Sequence, residues 1–133
     1  MTLDRRRFLQ LTAGGLAASF ASLGSAACAR DISPDDERAL AQPALLEMLG
    51  AERVLGIGAR YRATVPSENS RAALRAAIVQ SRRRGFLLPW LPHRSIEQQV
   101  RDDFAAGRTV VVDGWVLSAT EARQCALFSV LAA

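Results

Sequence analysis

Thr109-Val110-Val111-Val112 is followed by Asp113-Gly114 and then by Trp115-Val116-Leu117, a pattern that admits one tight closure. The glycine supplies the positive φ that a two-residue connection demands, so the stretch predicts a β-hairpin over about 109–117. A two-stranded ribbon is not stable alone, and both faces of this one are apolar in sequence, so helices must cover it. Ser118-Ala119-Thr120-Glu121 follows at once with the spacing of a capping box. It predicts a last helix through Cys125, Phe128 and Leu131.

Caps, prolines and glycines divide the residues before the hairpin into helical pieces. Ser33-Pro34-Asp35-Asp36-Glu37 offers a hydroxyl cap, a proline where its missing N–H costs nothing, and carboxylates near the positive end of a helix dipole. Pro43 predicts a break, after which a helix resumes through Leu45, Leu46 and Leu49 to Gly50. Between Ala51 and about Val65, the set Val54, Leu55, Ile57, Tyr61 and Val65 has helical spacing, with Arg53, Arg60 and Arg62 elsewhere on the circumference. Pro66 ends that segment. Ser67 or Asn69 is placed to cap the next, where Ala73, Leu74, Ala77 and Ile78 form a stripe leading to Arg82, Arg83, Arg84 and Gly85. Ser95 opens a further helix with Ile96, Val100 and Phe104 at four-residue intervals, and Gly107 closes it. The fold class is therefore mainly α: a single small helical domain over residues 30–133 with one short hairpin before its C-terminal helix.

Patterns that could carry chemistry mostly fail on context. Gly56-Ile57-Gly58 lacks a preceding strand, and Tyr61 stands where a dinucleotide loop needs its third glycine; the two glycines predict close approach of another helix instead. Asp102 and Asp103 are adjacent, so they point about 100° apart around a helix and do not form a facing acid pair. His93 is the only histidine, with no second ligand at metal spacing and no nucleophile that the sequence pairs with it. All 17 basic residues are arginine, which excludes lysine Schiff-base chemistry. The sequence thus assigns no catalytic residue, no metal ligand and no cofactor.

Two stretches each keep two readings. Arg82, Arg83 and Arg84 complement the negative end of a helix dipole, or they meet an anionic surface, either lipid head groups or the acidic face of a partner. In Gly85-Phe86-Leu87-Leu88-Pro89-Trp90-Leu91-Pro92, Leu88 and Leu91 precede prolines and favour extended geometry. As a loop it packs across the core, or it presents Trp90 to a partner.

Ahead of the domain, Arg5-Arg6-Arg7 stands directly before an uncharged run from Phe8 to Ala29 that ends in small residues, the layout of an export signal. Arg5, Arg6, Phe8 and Leu9 fall in register with the twin-arginine translocation pattern, and residues 1–29 resemble a signal peptide of that family. Asp4 and Gln10 stand where that family commonly has a hydroxyl residue and a lysine. The resemblance implies a cargo folded before export, passage through the twin-arginine translocon and a periplasmic destination. Cleavage after Ala29 uses Ala27 and Ala29 as its small residues. Cleavage after Ala27 leaves Cys28 first and open to lipidation, although Ser25 occupies the position the lipoprotein pattern gives to a large aliphatic. The run is rich in Ala, Gly and Ser, weakly hydrophobic for the roughly 20 predominantly apolar residues of a retained span.

Removing residues 1–29 leaves 104 residues, enough for one core and not two. With 50% of the chain hydrophobic and 23% charged, the composition is globular. The net charge of +4 falls to +2 without the leader's three arginines and Asp4, and a periplasmic destination removes nucleic acid as a partner. Cys28 and Cys125 are the only cysteines; once Cys28 is cleaved off or acylated, Cys125 has no intramolecular partner and is expected to be buried. Size and layout are similar to the small twin-arginine-bearing subunits of some periplasmic sugar and alcohol dehydrogenases, a likeness covering the leader and general architecture only. It implies a non-catalytic accessory subunit that lends its signal to a larger redox enzyme. The alternatives are a self-sufficient exported ligand-binding protein or enzyme, with Trp90, His93 and Arg94 in a pocket, and a structural domain anchored to the membrane through Cys28.

Overall fold

Burial concentrates on the last helix of the chain. In Ala119–Leu131 the buried residues are Thr120, Ala122, Gln124, Cys125, Ala126, Leu127 and Ser129, which covers more than one side of the helix. A helix buried on several sides is a core helix rather than an amphipathic surface one. The computed structural model describes residues 33–83 and 94–133, and the other elements within those bounds surround this helix. They are α1 (Pro34–Leu40), α2 (Leu45–Leu49), α3 (Ala51–Thr64), a 3₁₀ turn at Pro66–Glu68, α4 (Arg71–Arg83), α5 (Ile96–Ala105), β1 (Thr109–Val112) and β2 (Trp115–Ser118), with the last helix as α6. The described residues are thus mainly helical with one antiparallel hairpin before a C-terminal helix, as the sequence predicts.

The helix starts follow their caps. Ser33 Oγ accepts from the Asp36 amide at 3.1 Å, with Pro34 opening α1, and Ser95 Oγ accepts from the Gln98 amide at 3.1 Å. Ser118 and Glu121 form the full reciprocal box. The cap of α4 differs from expectation. Pro66 starts the 3₁₀ turn, which takes up Ser67, and Asn69 Oδ1 accepts from Arg62 Nε at 2.9 Å. Ser70 is the residue left to cap, accepting from the Ala73 amide at 3.2 Å.

The most extensive helix contact is between α3 and α6, with α4 next. Val54, Ile57 and Tyr61 of α3, Leu74 and Ile78 of α4, and Cys125 and Leu127 of α6 are all buried there. Gly58 permits the approach: a Cβ at that position would lie 2.1 Å from the Cys125 carbonyl oxygen. Gly56 has open space around it, so only the second glycine of the Gly-x-Gly pair serves helix packing. Each fully buried aliphatic here is worth about 2–5 kcal/mol against alanine.

The hairpin turns at Asp113 (φ 49°) and Gly114 (φ 81°), the paired positive φ values of a type I′ connection. Val110 pairs with Leu117 and Val111 with Val116. Val112 and Leu117 face the core at 4% and 2% exposure, whereas Val111 and Val116 are 71% and 59% exposed. The expectation that helices cover both faces is therefore corrected. One face packs inward, and cross-strand pairing places the two outward valines opposite each other on the open side.

A second correction concerns α5. Its sequence stripe of Ile96, Val100 and Phe104 predicts Phe104 in the core, yet Phe104 is 46% exposed while Gln99 and Asp103 are buried at 3% and 1%. Ile96 and Val100 are only half-buried. The helix is rotated so that a carboxylate, not an aromatic ring, meets α6. Among the described residues no helix is long and apolar enough to cross a membrane.

Candidate functional site

The first four N–H groups of a helix have no backbone partner within it, and α6 satisfies two through its own capping box and two from earlier segments. Glu121 Oε2 accepts from the Ser118 amide at 2.9 Å, and the Arg108 carbonyl from the Ala119 amide at 3.0 Å. Asp103 Oδ2 takes the Thr120 amide at 2.9 Å, and Ser118 Oγ the Glu121 amide at 3.0 Å. Two carboxylates thereby sit at the positive end of the dipole. The rotation of α5 follows from this arrangement, because Asp103 must point at α6 to reach Thr120.

Asp103 is the hub of the corner. Its Oδ2 also accepts from Thr120 Oγ1 at 2.6 Å, and its Oδ1 accepts from Arg108 Nε and from Gln99 Nε2, both at 2.9 Å. Burial alone would push its carboxyl up, and it is the largest single influence; the Thr120 hydroxyl, the Arg108 guanidinium, the Thr120 amide and Gln99 together outweigh it and hold the group below the usual range. The carboxylate is therefore ionised and fully engaged, an organiser of structure rather than a proton donor.

A second polar cluster ties α3 to α6. Tyr61 donates its hydroxyl to Glu68 Oε2 at 2.6 Å, and Arg123 grips both Glu68 oxygens with Nε and Nη2 at 2.9 Å each. Burial pushes Tyr61 up to about 12, aided by Glu68. It also works against ionisation of Glu68, but the bonds from Arg123 and Tyr61 prevail and lower its carboxyl. Buried Glu37 of α1 is held by Arg71 of α4, whose Nε donates to Oε1 at 2.8 Å. Cys125 is a buried free thiol, as the sequence predicts, pushed up to about 12 by burial and then by the charge of Glu121.

Between the two clusters lies a cleft of about 390 Å³ lined by Ser81, Arg94, Gln99, Asp103, Arg108, Thr109, Ala119 and Arg123. Arg94 also forms an ion pair with Asp102. Gln99 spends its amide nitrogen on Asp103, and its Oε1 is a buried acceptor without a partner. Among the described residues no group of three or more His, Cys, Asp or Glu side chains is placed to hold a metal ion.

Of the residues singled out from sequence, Arg82 lies at the end of α4 and donates Nε to the Arg94 carbonyl at 2.9 Å, joining α4 to the start of α5. Arg83 is the last residue of α4. Arg84, Trp90 and His93 lie outside the described residues, as do the leader positions Arg5, Arg6, Phe8, Leu9, Ala27, Cys28 and Ala29. Arg94, which the sequence places in a possible pocket, does line the cleft; Asp103 is considered from sequence only as half of an acid pair with Asp102, and Gln99, Arg108 and Arg123 are not singled out. The available signal was the polar i, i+4 pair Gln99 and Asp103, which share one face of a helix. No family model, no curated protein and no solved structure matches the chain.

Proposed function

We propose that the chain is a non-catalytic accessory subunit, exported in folded form by the twin-arginine route and docked on a larger periplasmic redox enzyme to which it lends its signal. The observation that carries this reading is the pairing of Arg5, Arg6, Phe8 and Leu9, in twin-arginine register, with a domain that must fold as a whole. Its polar links join residues far apart in sequence: Glu37 with Arg71, Glu68 with Arg123, and Asp103 with Thr120. Such contacts are in place only once the whole domain is assembled, which suits a route that carries folded cargo. The perturbed groups also fit a binding role better than a catalytic one. Asp103 and Glu68 are held ionised, and Tyr61 and Cys125 are pushed up to about 12, whereas acid–base catalysis needs values near the working pH.

The open hairpin face, with Val111 and Val116 side by side, supports a partner surface. The test is co-purification of the full chain, with Arg5 and Arg6 each changed to lysine in a parallel strain. A co-purifying periplasmic enzyme that stays in the cytoplasm of the lysine strain is the expected result. A strictly monomeric chain, with no neighbour mislocalised, would overturn the proposal.

A further inference from the structure

The cleft between α4, α5, β1 and α6 offers more donors than acceptors. Asp103 is the one carboxylate in its lining, and its two oxygens already take four donors, one each from Gln99 and Arg108 and two from Thr120. That fills the four lone-pair sites of an ionised carboxyl. Gln99 Oε1 is shut off from solvent, and Ser81 donates its hydroxyl to the Ile78 carbonyl at 2.8 Å. A cation entering here meets no free carboxylate.

The three arginines of the lining are the reverse case. A guanidinium has five N–H groups. Arg108 spends Nε on Asp103 and keeps its terminal nitrogens without a partner among the described residues, on a side chain that is 49% exposed. Arg123 spends Nε and Nη2 on Glu68. Arg94 spends one terminal nitrogen on Asp102 and is 38% exposed. Guanidiniums from three separate segments thus border one cleft with N–H groups to spare, which suits an oxyanion.

Two observations narrow the anion. Each arginine is already matched by a carboxylate, Asp102, Asp103 or Glu68, so the cluster is neutral as it stands and favours one negative charge over two. About half of the wall is apolar, contributed by Ala119 and by the aliphatic stems of the longer side chains. The volume of about 390 Å³ falls in the range of small-molecule sites, about 300–1,000 Å³, and leaves room for an apolar body behind the charge.

We infer that this cleft binds a small organic monocarboxylate, its carboxylate held by spare N–H groups of Arg108 and Arg94 and its apolar body lying against Ala119 and the arginine stems. This site goes beyond the escort role, and either can fail without the other, since export and co-purification do not report on it.

Calorimetric titration of the full chain at fixed ionic strength with benzoate, benzamide and sulfate tests it. Benzoate binds saturably, benzamide, of the same shape without the charge, does not bind, and sulfate binds about tenfold more weakly than benzoate. Arg108→Gln weakens benzoate about tenfold. Arg60→Gln, which removes an arginine paired with Asp113 at the hairpin turn, leaves it unchanged. Thr109→Trp, at an exposed strand position on the cleft wall, blocks the space and abolishes binding while circular dichroism is unchanged. The ligand comparison uses the unmodified chain, so it decides the matter even if a variant does not fold. Benzamide or sulfate binding as tightly as benzoate would overturn the inference. So would equal weakening by Arg108→Gln and Arg60→Gln, binding that survives Thr109→Trp, or no saturable binding of any of the three.

Discussion

The two sides of α6 are held by opposite kinds of force. At Gly58 the contact with α3 is apolar and so close that there is no room for a methyl group beside the Cys125 carbonyl, with the Tyr61–Glu68–Arg123 links elsewhere between the same helices. Toward α5 it is polar, with a buried carboxylate taking both the amide and the hydroxyl of Thr120. The contact at Gly58 is set by volume and is indifferent to pH; the one at Asp103 is set by charge and hydrogen-bond geometry, and it leaves a cleft beside it. A close-packed face excludes ligands, while a face whose polar groups need partners leaves space and unspent donors. The difference places the candidate site on the α5 side.

The largest expected effect falls on the packed side. Gly58→Val forces atoms into backbone that cannot move aside, and the cost exceeds about 3 kcal/mol, measured as loss of the cooperative unfolding transition or a large drop in its midpoint. Asp103→Ala is next. It orphans the Thr120 hydroxyl and removes the partner of Arg108, which is half-exposed and so limits the penalty; about 3 kcal/mol is expected in denaturant titration.

Lowering the pH weakens the carboxylate links, that of Glu68 between α3 and α6 included, and leaves the Gly58 contact as it is. Asp103, Glu68 and Glu37 all have folded-state values below their usual ones. The stability they contribute is complete above their unfolded values of about 4 and is lost as pH falls through the lowered folded values. Asp103→Asn therefore flattens the acid limb of the stability profile, whereas Leu127→Ala lowers the whole profile and leaves its slope unchanged. The smallest effect belongs to Phe104. Phe104→Gln stays within about 0.5 kcal/mol of the parent, because the ring is already 46% exposed.

That contrast between Asp103 and Phe104 marks where the sequence is legible. Local devices are read directly: the serine caps at 33, 95 and 118, the Asp113-Gly114 turn and the burial of Cys125 each depend on a few adjacent residues. The rotation of α5 does not. Periodicity ranks Phe104 above Asp103 because it counts apolar character, and it cannot register that four donors arrive at Asp103, two from Thr120 and one each from Gln99 and Arg108. The same limit explains the hairpin. Its valines are equally apolar on both faces, and only the placement of the helices decides which of them stay outside. The cleft was invisible for the further reason that its arginines come from segments as distant as Arg94 and Arg123.

The amide exchange rate of Thr120 tests the central claim most directly. This amide lies in the first turn of α6, where protection is ordinarily slight because helices leave those groups without partners. With Asp103 as its acceptor it should exchange nearly as slowly as the mid-helix amide of Ala126, and Asp103→Ala should release it while Ala126 stays protected. Free exchange of Thr120 in the unmodified protein would contradict the account.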